Sequence, residues 1–225
     1  MVTQLLHSCG LYLGNDDDLM PPGPDNAAGF WENTKFVGIN DEVLNALGGG
    51  WDCPPPPPDD WTMDARLQRL RRRASVLFRQ FLGRGPWGWK DPRTSLTLPF
   101  WKGCCPNSRE VVCLRNPLEV ALSLHERNGV SYALGLNLWK AYNERILAAT
   151  SCNDRVITHY DAYFADPVAE LRRVLDAINL SVPDELIGQA CSRVSLGLRH
   201  SRLTLEHLIQ ADVSSLRWIE MGMGK

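Results

Sequence analysis

Val111-Val112-Cys113-Leu114-Arg115-Asn116-Pro117-Leu118-Glu119-Val120-Ala121-Leu122-Ser123 is the stretch on which the fold turns. Residues 110–114 read as a buried strand, and Arg-Asn-Pro reads as the turn that leaves it. Pro117 suits the first turn of a helix, where its missing N–H removes no hydrogen bond. The pattern predicts a strand-turn-helix unit with Arg115 at the carboxyl end of the strand, the edge at which open α/β sheets bind ligands. Ser123 follows eight residues later, two turns up the helix. A guanidinium and a helix hydroxyl so placed make a compact anion site, best suited to a phosphate. The same segment also reads as a strand-turn-helix whose arginine caps a carboxylate, and both readings stand at this point.

Downstream and upstream of this unit, short apolar runs alternate with amphipathic ones. Strands are predicted near 87–90, at 110–114 and at 155–160, and helices at 94–102, 118–126, 133–150 and 167–178. Alternation of this kind predicts a parallel sheet with helices on both faces, a three-layer αβα arrangement in a single α/β domain over residues 1–225. The amino-terminal part supplies a helical stretch within 2–13, a Pro/Gly/Asp loop at 15–26 and a helix over 36–47. That helix is expected to turn Val37, Asn40, Val43, Leu44 and Leu47 inward and to end at Gly48-Gly49-Gly50. The prolines at 54–58 read as a stiff polyproline spacer. Residues 64–82 read as an amphipathic helix with Leu67, Leu70, Ala74, Leu77 and Phe78 on one face, and its Arg71-Arg72-Arg73 run reads as a solvated surface. Asp166-Pro167 reads as an N-cap and first helical position. The carboxyl-terminal part, 181–225, reads as helical.

Length and composition bound the function. The chain has 225 residues, enough for one α/β domain with a sizeable core. A net charge of −2 gives no support to a nucleic-acid-binding surface, so an anion site must be local. Seven cysteines without regular spacing and without a CxxC pair do not form a disulfide framework. They point to a reducing, cytoplasmic setting. Residues 1–14 lack the basic start and long apolar core of a signal peptide, and no stretch approaches the roughly 20 apolar residues of a spanning helix. Metal-ligand spacing is absent, and oligomeric state is not readable.

Three segments, in order, resemble PAPS-dependent sulfotransferases. The unit from Arg115 to Ser123 resembles the family's 3′-phosphate-binding element, in which an arginine at a strand end and a serine eight residues on grip the cofactor. Trp87-Gly88-Trp89-Lys90-Asp91-Pro92-Arg93 resembles the strand-end lysine motif beside the acceptor pocket. Ile157-Thr158-His159-Tyr160-Asp161-Ala162-Tyr163-Phe164-Ala165-Asp166-Pro167 is similar to the strand, Tyr-acidic pair and Asp-Pro start that precede a Leu/Arg-rich helix. Together the three cover most of residues 85–180.

The resemblance implies a P-loop NTPase-like sulfotransferase fold. It implies PAPS (3′-phosphoadenylyl sulfate) as donor, PAP as product and no metal. The acceptor is then a hydroxyl or amine of a carbohydrate or small molecule, while the charge balance and the lack of a spanning stretch lead to the expectation that neither nucleic acid nor membrane is a partner. Arg115 and Ser123 are expected on the 3′-phosphate and Tyr160 near the nucleotide base. Arg199, beside His200, is expected to close over the cofactor, although the family's Arg-Lys-Gly pattern is missing. Lys90 is the expected cation at the sulfuryl group, with a salt bridge to Asp91 or Glu32 as its alternative. Arg93 is expected to order the same loop. Glu32, desolvated by Phe30 and Trp31, leads as general base, with Asp91 and His7 behind it. Trp31, Trp51, Trp61 and Trp101 are candidate stacking surfaces for an acceptor.

One element of the family pattern is not found. Such enzymes open with a strand and a Gly/Ser/Thr-rich loop that cradles the 5′-phosphosulfate with backbone N–H groups. Here Val2-Thr3-Gln4-Leu5-Leu6-His7 reads as the helix that follows that loop. The expectation is therefore a fold lacking the first strand and the phosphosulfate loop, with half of the cofactor site to be supplied upstream or not at all. Two other classes stay open. One is a P-loop-type nucleotide or sugar kinase, for which no GxxxxGK[ST] loop is found. The other is a non-catalytic fragment that binds PAP-like anions or a partner protein.

Overall fold

The computed structural model describes residues 1–23, 26, 29–57 and 60–194. Helix α1 (Val2–Ser8) buries Leu5 and Leu6 and stops where Gly10 takes a positive φ of 97°. Helix α2 (Thr34–Ala46) starts at Asn33, whose side chain accepts from the Lys35 N–H at 3.1 Å. It buries Phe36, Ile39, Asn40, Val43 and Leu44, whereas Val37 and Leu47 are only half-buried. The inward face is rotated from the expected one because Phe36 stacks on Trp89, 4.7 Å away and nearly parallel.

Helix α3 (Gln68–Arg79) is preceded by two tight turns at 61–63 and 65–67. Leu67, Leu70, Ala74, Leu77 and Phe78 are all buried, as the amphipathic pattern requires. Arg71 folds back to donate to the carbonyls of Thr62 and Asp64, and Arg73 pairs with Glu42. Helices α2, α3 and α4 (Thr94–Cys104) close on an aromatic core of Phe36, Phe78, Phe81, Phe100 and Trp101, flanked by Trp87 and Trp89.

Strand β1 (Glu110–Leu114) leads through Asn116 and Pro117 into α5 (Pro117–Asn128), and α6 (Tyr132–Ala148) returns along it. Strand β2 (Arg155–His159) then pairs with β1 in parallel, from Glu110 opposite Arg155 to Leu114 opposite His159. The short α7 (Ala162–Ala165), α8 (Pro167–Ala177) and α9 (Asp184–Cys191) follow. Asp166 caps α8 by accepting from the Ala169 N–H at 3.0 Å, with Pro167 at the first position.

Helices cover both faces of the pair. Val111 and Val156 face a core shared with Leu5, Leu6, Leu171, Val174 and Ile187 from α1, α8 and α9. Val112, Leu114 and Ile157 face Leu98 of α4 and Ile146 of α6. This is an α/β architecture rich in helix, and its sheet has two strands among the described residues. The third strand expected at 87–90 does not form. Trp87 makes a single parallel bridge to Tyr12, through Tyr12 N–H to the Pro86 carbonyl at 2.9 Å and Gly88 N–H to the Tyr12 carbonyl at 3.0 Å. Gly14, at φ 118°, then turns the partner segment away, so no longer ladder exists.

Among the described residues the proline run is buried at Pro55 alone, while Pro56 and Pro57 are exposed. The Pro55 carbonyl accepts from Arg145 of α6 at 2.6 Å. Helices α5 and α6 approach closely, and a Cβ on Gly135 would sit 2.8 Å from the Ala121 Cα. Among the described residues no helix is long and apolar enough to cross a membrane. Arg199 and His200 lie outside the described residues.

Candidate functional site

The carboxyl end of the sheet carries the first group of residues. Arg115 follows β1 directly, and Tyr160 follows β2, where its N–H continues the ladder to the Leu114 carbonyl at 2.8 Å. Adjacent parallel strands thereby bring together two residues 45 positions apart in the chain. The guanidinium carbon lies over the Tyr160 ring, 4.7 Å from its centre, within the range of a cation–π contact. Phe164 packs edge-on against the same ring at 5.1 Å. From α6, the Trp139 indole N–H donates to the Arg115 carbonyl at 3.0 Å. The tight α5–α6 contact at Gly135 therefore also sets where the backbone of Arg115 lies.

One turn up α5 stands Glu119, which is buried, and its Oε2 is 3.3 Å from Arg115 Nε. Of the two readings left open by the sequence, the arginine that caps a carboxylate is the one this pair displays. The arginine stands at the strand end, and a carboxylate pairs with it. Glu119 was visible in the sequence only as an acidic residue at i+4 from Arg115, a spacing that brings side chains together on one face. Its place in the first turn of α5 also suits a negative charge. Ser123, half-buried, continues the same face one turn further, and its hydroxyl makes no hydrogen bond among the described residues. Five N–H donors in a rigid fork allow a guanidinium to hold a carboxylate and a second anion together.

The second group lies around the loop after Trp89. Lys90 Nζ contacts Glu32 Oε1 and donates to the Phe30 carbonyl at 3.3 Å. Glu32 is buried, and Lys90 is about one-third exposed, with a side-chain exposure of 37%. Glu32 is held from behind by the Met20 N–H, which donates to its carbonyl at 2.8 Å. Trp31 just before it takes φ 59°, the left-handed region uncommon for a bulky residue. Arg93 reaches Asp91 at 3.0 Å, Asp41 at 2.7 Å and Glu32 at 3.9 Å.

The Asp91 side chain is fully buried. It accepts from the Arg93 N–H at 3.0 Å and from Asn40 Nδ2 at 2.8 Å. Asn40 itself is fully buried, and its oxygen accepts from Thr97 at 2.6 Å and Trp101 Nε1 at 2.7 Å. Asn40 thus clamps the loop to the aromatic core. Nothing in a single-residue reading of α2 marked this role. Burial raises the Asp41 carboxyl against the opposing pull of Arg93, and Asp91 raises it further. Arg93 is held above its ordinary value because Asp91, Asp41 and Glu32 outweigh the burial that opposes its charge.

The Cys113 thiol, two residues before Arg115, is pushed up to about 11 by desolvation from the protein packed around it, although the residue keeps an exposed surface, and this is partly offset by the Met1 amine, Arg115 and Lys90. The charges of Arg115 and Lys90 therefore reach one point of the sheet. Of the remaining candidates, His7, Trp61 and Trp101 are engaged in packing. His7 shares a hydrogen bond with the Leu11 carbonyl at 2.9 Å and rests on Trp31 at 5.2 Å. Trp61 and Trp101 are buried and cannot stack on an acceptor in this conformation, while Trp31 and Trp51 are half-buried. No cluster of three or more metal-ligating side chains is found among the described residues. No family model, curated protein or solved structure matches the chain.

Proposed function

We propose that this chain binds a 3′-phosphorylated adenine nucleotide at the carboxyl edge of its sheet. In this reading it takes part in sulfuryl transfer from PAPS to a hydroxyl or amine of a carbohydrate or small-molecule acceptor, in a reducing, cytoplasmic setting. The observation that carries the proposal is the stacking of Arg115 on Tyr160 at the ends of two parallel strands, 4.7 Å apart, with Ser123 on the adjoining helix face. A cation beside an aromatic ring suits a phosphate joined to an adenosine.

PAPS, when bound, would supply an activated sulfuryl group that passes from the bridging phosphate oxygen to the acceptor oxygen or nitrogen, with PAP as the leaving group. In the proposed step, Lys90 leaves Glu32 to neutralise charge growing on that bridging oxygen. Glu32, released from its partner, takes the acceptor proton. Asp91, Arg93 and Asn40 keep the two in register. Arg115 and Ser123 hold the nucleotide's 3′-phosphate, with Arg115 shared between it and Glu119.

The test is calorimetric titration of the chain with PAP beside ADP at one salt concentration, followed by sulfate transfer from PAPS to a mixed acceptor pool. Saturable PAP binding, stronger than ADP and lost in Arg115→Ala, is the expected result. A folded chain that binds neither nucleotide, or that prefers ADP with Mg²⁺, overturns the proposal.

A further inference from the structure

Helix α3 carries Arg69, Arg71, Arg72, Arg73 and Arg79 without one acidic residue, in a chain whose net charge is −2. Its positive charge is therefore a local concentration and not a general property of the surface. Arg71 is used within the fold, and Arg73 faces Glu42. Arg69 and Arg72 are exposed, and among the described residues no carboxylate pairs with either. Beside them runs a groove of about 500 Å³ between α2 and α3. Lys35, Arg69, Arg72 and Arg73 form its rim, and Ile39 and Val76 contribute to its apolar floor. Val76 is 49% exposed in the middle of this basic surface. A second hollow of about 290 Å³, bordered by Tyr12, Arg84 and the Asp18 that pairs with Lys35, shares Gln80 with the first.

We infer that this groove docks an acidic amphipathic helix of a partner protein, apolar face down and carboxylates against the arginine rim. A basic rim alone would suit any polyanion. The apolar floor decides between them, because a nucleic acid or sulfated polysaccharide gains nothing by covering the exposed Val76 above the buried Ile39, whereas a helix with leucines on one face does. The elongated track along α3 suits a chain-like ligand rather than a single small anion. Docking here is separate from nucleotide binding at the strand ends, since neither hollow includes Arg115, Tyr160 or Lys90.

The experiment is fluorescence anisotropy with a labelled helical peptide bearing leucines on one face and glutamates on the other. Polyglutamate of equal length, a heparin oligosaccharide and a DNA oligonucleotide serve as competitors. Saturable peptide binding is expected, weakened about 30-fold by the double substitution Arg69→Glu and Arg72→Glu and about tenfold by Val76→Asp. All three positions are exposed, so an unchanged melting curve establishes that the fold is intact. Equal displacement by polyglutamate, preference for the oligosaccharide or DNA, or no peptide binding each overturns the inference. PAP titration of the same double variant should be unchanged, which keeps this test apart from that of the nucleotide site.

Discussion

Asn40 offers the sharpest test of how the loop at Lys90 is held. Its amide donates to Asp91 at 2.8 Å and accepts from Thr97 at 2.6 Å and Trp101 at 2.7 Å, in a residue with no exposed surface. In Asn40→Ala, the Trp101 indole N–H and one Asp91 oxygen lose their partners, whereas Thr97 retains the Arg93 carbonyl at 3.2 Å. Two orphaned buried groups cost roughly 1–3 kcal/mol each, and the small void adds to this, so about 3–5 kcal/mol is expected. At about 2–4 °C per kcal/mol for a domain of this size, the melting midpoint falls by roughly 10 °C or more.

Asn40→Asp separates the two halves of the clamp. An aspartate still accepts from Thr97 and Trp101, but it faces Asp91 with a second carboxylate. The pair is forced to share a proton, which raises its folded pKa above the unfolded value of about 4. Above that unfolded value the native state retains a proton that the unfolded chain has released, so stability falls as pH rises and the penalty fades in acid. The Ala variant lacks this second carboxylate and should lose a similar amount throughout. Urea melts followed by circular dichroism at several pH values read both. A loss below about 1 kcal/mol in Asn40→Ala, or a pH-independent penalty in Asn40→Asp, refutes the clamp.

Three further outcomes are expected. Glu119→Gln removes the charge that shares Arg115 and should tighten PAP binding about fivefold in calorimetry; weaker binding would mean that Glu119 organises the arginine instead. Gly135→Val places its Cβ 2.8 Å from the Ala121 Cα and should cost about 1–3 kcal/mol in a thermal melt. It should also weaken PAP binding, because α6 carries the Trp139 that holds the Arg115 carbonyl. Cys113, with its thiol pushed up to about 11, stays protonated at neutral pH. Although the residue is exposed, its alkylation by iodoacetamide, followed by mass spectrometry, should be slow near pH 8 and rise steeply as pH approaches that value.

Elements whose signals are local were legible before any coordinates. Strand β1 spans residues 110–114 as the apolar run indicates, and α5 begins at Pro117 behind an Asn116 cap. Helix α8 begins at Pro167 behind Asp166, and α3 buries the face its periodicity marks. Caps, prolines and apolar spacing act within a turn or two of chain, so the residues that encode them are neighbours.

Contacts between distant segments were decided by tertiary structure. Lys90 meets Glu32 across 58 residues, Asn40 meets Asp91 across 51 and Trp101 across 61, and Trp139 reaches the Arg115 carbonyl from 24 residues away. The strand expected at 87–90 depends on the same kind of information. Its sequence is compatible with extended backbone, but a strand exists only where another backbone runs beside it, and Tyr12 does so for one bridge before Gly14 turns away. Arg115 was recognisable as a strand-end cation from its own neighbours. That it rests on Tyr160, and shares its charge with Glu119, follows from the pairing of β1 with β2 and from the turn of α5 that packing allows.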